Sequence, residues 1–463
     1  MTKITILVFC MAAVRLLAGP IDGLLPGHWY EIPNSHLRTV VPSPAPAGDV
    51  TAIIDAWSGG AYDTDREQLI VWGGGHVDYA GNEVYTFGPM TSGSPAWTRR
   101  TTPSTADQDC GAGYADGTPT STHTYGTLAY APNVQKFFSM GLGANYPCGS
   151  ESGQIWSMSM ATYQWDAMSS NPSIGGGAQG SFSAYDSATG YIWVRPNASS
   201  NLKAFNPVTR TFAGSYGDGQ YINIEMTGAI DPVRRIMVGI GGYGGGQATR
   251  CWLLNTPGTV FNPTTSGDKT PETGDSRGFQ FHPLSGKFVA WFGGSSVYTL
   301  TPPSDLRNGT WVWAKVDPAS GNTVTPTAEN ARGTYGRFRY IPSLDIFICV
   351  NSIDENVYVY KLDAAGTGVN GRRFTLSAGN LMSVSPNPFK SATSIAFANP
   401  ARERAELSIF SVKGERVAVL LDREMEPGRH AVSWNAPAKS AGFYFAKLRL
   451  GNRTSTAGIL ALE

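Results

Sequence analysis

Charge is sparse in this chain and it cancels: 35 basic and 35 acidic side chains in 463 residues leave no net charge. That balance removes the electrostatic reason to expect nucleic acid or an anionic membrane as a partner and leaves neutral ligands or local charge. Long apolar runs are missing as well. The N-terminal run from Ile4 to Val14 follows Lys3, is broken by Arg15, and is too short to cross a bilayer, so residues 1–19 fit a secretory signal. No cysteine directly follows a cleavage near Ala18, which argues against a lipid anchor, and no later stretch is long enough for a transmembrane helix. A soluble, exported protein is expected. There is no glycine-rich phosphate loop and no serine-nucleophile motif. Asp78 with His76 and His123 offers an alternative as a metal set, but no tight ligand spacing supports it. No metal or other cofactor is therefore expected, with a structural calcium left open.

What is abundant is glycine and aromatic residues: 55 Gly and 30 Pro beside 12 Trp, 20 Tyr and 20 Phe. This is the composition of an all-β protein rich in turns. The glycines sit beside apolar runs at regular intervals, which excludes a low-complexity reading. Aligned on a tight turn, six copies of one unit appear, at Tyr62, Tyr130, Tyr185, Ile230, Phe281 and Tyr340. Each turn is followed by an apolar strand, at 69–72, 137–140, 191–194, 236–240, 288–292 and 346–350. A third, alternating strand follows at 83–87, 154–158, 202–205, 251–254, 296–300 and 356–360, and a fourth is marked by Trp97, Trp165, Phe212, Phe261 and Trp313.

Four strands per unit and six units predict a β-propeller, with seven blades as the alternative. The sixth unit lacks a fourth strand, but residues 27–32 supply one whose Trp29 matches the other fourth-strand tryptophans, so the ring is expected to close on its N-terminus. The glycine pairs Gly73-Gly74, Gly241-Gly242 and Gly293-Gly294, with the aromatic of strand three and the tryptophan of strand four, resemble the kelch repeat. Gly141 and Gly143 match it imperfectly, and blades three and six depart from it. The resemblance covers residues 27–362 and implies a fold rather than a function.

A glycine-rich linker at 363–380 leads to a strongly alternating tail at 381–463, which predicts a small immunoglobulin-like β-sandwich. Its Pro386-Asn387-Pro388 entry, the Lys413-Gly414-Glu415-Arg416 hairpin, the strand from Gly428 to Trp434 and the strand Gly442-Phe443-Tyr444-Phe445 resemble, in order, the C-terminal sorting domain of the type IX secretion system, close to the FlgD-like module. That resemblance implies the type IX machinery as a partner, passage through the periplasm, and release or attachment at the outer surface. It also implies a packing or surface role for His430.

In the derived blade order the long loops 103–122, 141–153, 263–276 and 318–331 emerge on one face, where binding sites concentrate. Cys110 and Cys148 lie in two of them and are expected to form a disulfide that orders the rim; Cys349 reads as a buried thiol. Asp63, Asp186, Asp231 and His282 mark the opposite face as turn residues. His76 and His123 are the two histidines on the loop face with reactive company. Trp57, Tyr125, Glu225 and Tyr335 take equivalent places at the channel mouth, with Asp78, Tyr79, Arg277, Arg332 and Arg337 close by.

Such a set suits an extracellular acidic polysaccharide. An arginine would neutralise a uronate carboxylate, and His76, His123, Tyr125 or Tyr335 would abstract the C5 proton and protonate the leaving group. This looks like the logic of propeller-fold polysaccharide lyases. Hydrolysis by paired carboxylates is disfavoured because Glu225 stands almost alone. The competing reading is a non-catalytic glycan-binding or adhesin propeller in which Trp57, Tyr79 and Tyr125 stack on sugar faces. A structural role is also open: His76 capping its glycine turn, His123 bonded to backbone, the arginines paired with Asp78, Glu83 or Glu225. A monomer is expected.

Overall fold

The computed structural model describes residues 21–363 and 382–461, less 22, 107–109, 142, 168–170, 175–179, 198, 200, 218, 220–221, 244–248, 386, 388, 390–392, 400–402, 426–427, 436–440 and 452. The expected signal and nearly all of the expected linker lie outside the described residues. The chain falls into two compact units, Met1–Gly368 and Val369–Glu463.

The first unit is a β-propeller of six blades, each with four antiparallel strands, with a short two-stranded sheet, Gly143–Asn145 and Ser150–Ser152, besides. Blade 1 runs Gly59–Asp63, Gln68–Trp72, Tyr85–Gly88 and Ala96–Arg99; blade 2 runs Leu128–Ala131, Lys136–Ser139, Trp156–Ser159 and Gln164–Trp165. Blade 3 comprises Phe182–Asp186, Tyr191–Arg195, Asn201–Asn206 and Thr211–Gly217, and blade 4 Thr227–Asp231, Ile236–Ile240, Arg250–Leu253 and Val260–Phe261. Blade 5 comprises Gly278–His282, Lys287–Trp291, Val297–Thr301 and Thr310–Val316. Blade 6 has Phe338–Ile341, Ile346–Cys349 and Val357–Tyr360, and its fourth strand is Trp29–Ile32, with Trp29 opposite Tyr360. First strands of consecutive blades pack on one another, and that of blade 6 packs on that of blade 1.

The second strands of blades 1, 4, 5 and 6 are buried along their whole length, and those of blades 2 and 3 from their second residue on, because neighbouring blades cover both of their faces, which is why they are near-continuous apolar runs. Aromatic pairs fill the wedges: Trp72 and Trp165 lie 5.3 Å apart across blades 1 and 2, and Phe87 and Trp97 5.1 Å apart within blade 1. At the far turns, buried Asp63 and Asp231 accept from the backbone N–H groups of Asp65, Arg66, Val233 and Arg234 at 2.9–3.0 Å, so these carboxylates form turns. His282 spends its ring nitrogens on Ser285 and Asp345.

One element had no periodic signal. Thr264–Gly267 adds a fifth strand, parallel to Thr310–Val316, and covers the outer edge of blade 5. Its Thr-Thr-Ser-Gly sequence has no apolar alternation because neither face packs on a core.

The second unit pairs a three-stranded sheet (Met382–Ser385, Thr393–Asn399, Gly428–Trp434) with a four-stranded one (Glu403–Ser411, Arg416–Met425, Gly442–Leu450, Arg453–Ala461). Ile395 and Trp434 of the first meet Leu407, Ile409, Leu448 and Ile459 of the second in one core, the arrangement of a β-sandwich. His430 is half-buried with its ring 5.5 Å from Phe397. No helix among the described residues is long and apolar enough to cross a membrane.

Trp29 ties the N-terminal strand to blades 5 and 6. Its ring lies 4.8 Å from Tyr360 and 5.9 Å from Trp291, and its indole N–H donates to the Ser295 carbonyl at 2.8 Å. Trp29→Ala is expected to cost about 3–5 kcal/mol in denaturant unfolding of the full chain. A loss of less than about 1 kcal/mol, the level of an average substitution, would show that this strand does not hold blade 6.

Candidate functional site at the propeller mouth

Each first strand is entered through a residue with left-handed backbone: Trp57 (φ 48°), Tyr125 (46°), Gly180 (71°), Glu225 (66°), Ser276 (57°) and Tyr335 (44°). Five of the six carry side chains, and each such conformation costs on the order of 1–3 kcal/mol. Hydrogen bonds between neighbouring entries hold them there. Tyr125 N–H donates to Trp57 O at 2.7 Å, Glu225 to Gly180 at 2.9 Å, Ser276 to Glu225 at 2.8 Å and Tyr335 to Ser276 at 3.2 Å. The twist turns these side chains toward one another across blades: the rings of Tyr125 and Tyr335 meet edge to face at 5.8 Å. The repeat register identifies Trp57, Tyr125, Glu225 and Tyr335 at equivalent places; Gly180 and Ser276 complete the set.

His76 and His123 come from different blades and are brought together by backbone. Gly75, at φ 82°, lets the blade 1 loop lie so close to blade 2 that a Cβ there would sit 2.4 Å from Thr122 Cα. The N–H groups of His76 and His123 then both donate to Ala144 O, each at 3.1 Å. The two rings stand at right angles with centroids 5.9 Å apart. Behind His76 the Cys110–Cys148 disulfide joins the two rim loops, its Cα atoms 5.5 Å apart, and the adjoining Gly149 lies against the His76 ring.

A polar relay runs across this cluster. His123 Nε2 lies 2.8 Å from Asp78 Oδ2, and Arg332 Nη1 donates to Asp78 Oδ1 at 3.0 Å. Arg332 also covers the Trp57 ring at 4.5 Å; on Trp57's other contacts His123 lies 4.8 Å away, and the indole N–H donates to Glu225 Oε1 at 2.9 Å. Ser276 Oγ sits 3.3 Å from Glu225 Oε2 and 2.7 Å from Tyr335 Oη.

Burial lowers the pKa of His123, the neighbouring Asp78 carboxylate pulling the other way. Burial opposes ionisation of Asp78, but hydrogen bonds from His123 and Arg332 outweigh it and hold the carboxyl below its ordinary value. The pair is thus a carboxylate accepting from a neutral imidazole whose proton the network assigns to Nε2. Burial, with Glu225 nearby, pushes the Tyr125 and Tyr335 hydroxyls well up, so both are proton donors rather than phenolates. Burial and Asp275 raise Glu225 against the hydrogen bonds from Trp57 and Ser276.

Three expected site residues go elsewhere. Tyr79 is completely buried, its hydroxyl on Glu83 Oε1 at 2.7 Å, so it offers no face to a sugar. Arg337 is completely buried and gives its guanidinium to the carbonyls of Ser58, Val350 and Gly333, which makes it a strut between blades. Arg277 pairs with Glu329 at 2.5 Å and stacks over Phe292 at 3.9 Å, in the rim. Tyr335, although at the mouth, is 1% exposed, too little to reach a polymer. His76, half-buried Trp57 and Asp78, and Arg332 remain open to solvent.

The family model for the secretion system C-terminal sorting domain matches residues 383–461. The tail marks the protein for type IX export to the cell surface or the extracellular space. No curated protein matches the chain. Among solved structures, the extracellular domain of a one component system of B. thetaiotaomicron is 11% identical, covering 88% of this chain and 56% of its own, with a TM-score of 0.33. YjhT is 12% identical over 55% of this chain and 74% of its own, with a TM-score of 0.34. Hydrazine synthase of Kuenenia stuttgartiensis is 11% identical over 65% and 77%, with a TM-score of 0.35. Scores of this size carry no argument about function, and the chain spans little more than half the length of the first of these.

Two outcomes follow from this geometry. Burial pushes Glu329 from 4.5 up to about 7, with Arg277 opposing and Asp275 adding. Between those values the folded state holds the proton that the unfolded state has lost, so stability should fall as pH rises through the window. From pH 4.5 to about 7 the melting temperature of the native chain should fall relative to that of Glu329→Gln as pH rises; a native-minus-variant difference that stays flat or rises contradicts the assignment. Truncation before Met382 should leave the propeller inside the cell, read by fractionation and immunoblot, and secretion of the truncated chain would show that the tail is not its export signal.

Proposed function

We propose that this secreted propeller engages an extracellular polysaccharide at its mouth, and that uronate-containing chains are the class it takes. The observation that carries the reading is the solvent-open group formed by Trp57, Arg332, Asp78 and His76: a guanidinium held over an indole and against one carboxylate, placed to meet a sugar carboxylate beside a histidine. The glycine pairs that end the second strands support a kelch-type reading of the blades, which bears on architecture alone.

The Asp78–His123 hydrogen bond, with His76 beside it, favours a reaction at this site rather than binding alone. In β-elimination His76 removes the C5 proton. The C5–H electron pair forms the C4–C5 double bond, the C4–O4 bond breaks, and the departing oxygen takes its proton from the protonated His76, while Tyr125, 3% exposed, lies beneath as a positioning residue. Arg332 neutralises the carboxylate on which negative charge accumulates. Asp78 and Tyr335 are positioning residues in this scheme.

The purified full chain, incubated with a panel of uronate-containing polysaccharides, should generate the ultraviolet absorbance of an unsaturated uronate. His76→Ala should lower kcat/KM by about 100-fold or more with little change in melting temperature. Saturable binding without new absorbance leaves the non-catalytic glycan-binding reading. Neither binding nor turnover on any acidic glycan overturns the proposal.

A further inference from the structure

The same cluster has the composition of a metal site, and that inference goes beyond glycan engagement. We infer that His76, Asp78 and His123 bind a divalent first-row transition ion of the zinc class. One ligand atom from each of the three residues lies within 4.8 Å of the other two, before any adjustment to an ion. Two imidazoles and one carboxylate form the three-ligand set that leaves coordination positions open to water or an incoming oxygen. The two nitrogen donors argue against calcium, which takes oxygen ligands.

The surroundings are those of a prepared ligand set. The His76 and His123 backbones hang from one acceptor, Ala144 O, so their separation is set by two hydrogen bonds of 3.1 Å rather than by two independent loops. Gly149, beside the disulfide, backs the His76 ring. The Asp78 carboxylate is divided: Oδ1 is held by Arg332 at 3.0 Å, while Oδ2 points at His123 Nε2. Outer contacts of this kind orient a ligating carboxylate. An ion would take Oδ2 and the imidazole nitrogens in place of the internal hydrogen bond, leaving Oδ1 on Arg332. A second histidine–carboxylate pair among the described residues shows the contrast. His282 meets Asp345 at 2.8 Å and Ser285 at 2.8 Å, and no third ligating side chain completes that pair among the described residues.

His76 cannot hold an ion and abstract a proton at once, so the elimination belongs to the metal-free chain and the ion to a separate state of it; binding is measured without glycan and its outcome is independent of turnover. The chelator-treated full chain is titrated with zinc chloride by calorimetry, and separately with cobalt chloride while visible absorbance is recorded. One saturable site is expected, with cobalt bands. His76→Ala and Asp78→Asn should each weaken zinc binding by about tenfold or more and remove the bands, and calcium chloride should give no saturable heat. His76 is solvent-accessible, so His76→Ala keeps the fold where a change at buried His123 can lose it; circular dichroism of the variant checks this. Absence of a saturable zinc site, or zinc affinity and cobalt bands unchanged in His76→Ala and Asp78→Asn, overturns the inference.

Discussion

The hydrogen bond between successive strand entries is the constraint on which the mouth of this protein depends. At Tyr125, Glu225, Ser276 and Tyr335 a backbone N–H finds its acceptor in the carbonyl of the preceding entry, and at each of these the residue between loop and strand is left-handed. An L side chain resists that conformation. Where five side chains accept it, the buried hydrogen bond and the packing of the first strands outweigh the local cost. The result is that Trp57, Tyr125, Glu225, Ser276 and Tyr335 are presented by a framework rather than by free loops.

Burial then divides the polar side chains into two populations. Arg337, Tyr79, Asp63 and Asp231 are removed from solvent and have backbone or side-chain partners, as buried polar groups must. His76, Asp78 and Arg332 keep contact with solvent while being fixed by Ala144, His123 and Trp57. Binding or reactivity belongs to the second population, because an incoming group can be desolvated there without first dismantling the scaffold. Asp78 lies where the two meet: its negative charge is stabilised by two donors although burial opposes it.

Much of the fold was legible in the linear order of residues. The second strands are nearly all apolar because both of their faces are covered, and the fourth strands carry a large aromatic because each must fill a wedge, so the period shows in composition. The short strand Thr264–Gly267 was not legible, since it pairs through backbone alone. The site was legible in part. The glycine loop at His76 is unlike its counterparts, and the repeat register places Trp57, Tyr125, Glu225 and Tyr335 together. Proximity in register does not reveal direction: Arg337 and Tyr79 lie as near in sequence as Arg332 and Asp78 do, yet face the interior. Ser276 gave no chemical signal of its own, and Ala144 acts only through its carbonyl.

By itself the sequence determined an all-β repeat, the N-terminal strand that pairs with the last blade, the sorting tail and the export it directs, because each rests on local periodicity or on a contiguous motif. Tertiary structure alone decided that His76 and His123 share one acceptor, that Asp78 lies between His123 and Arg332, and that Arg337 is a strut. Those facts depend on residues as many as 279 positions apart meeting at hydrogen-bond distance. Hydrophobic period records which face of a strand is buried; it carries no information about where a polar side chain finds its partner.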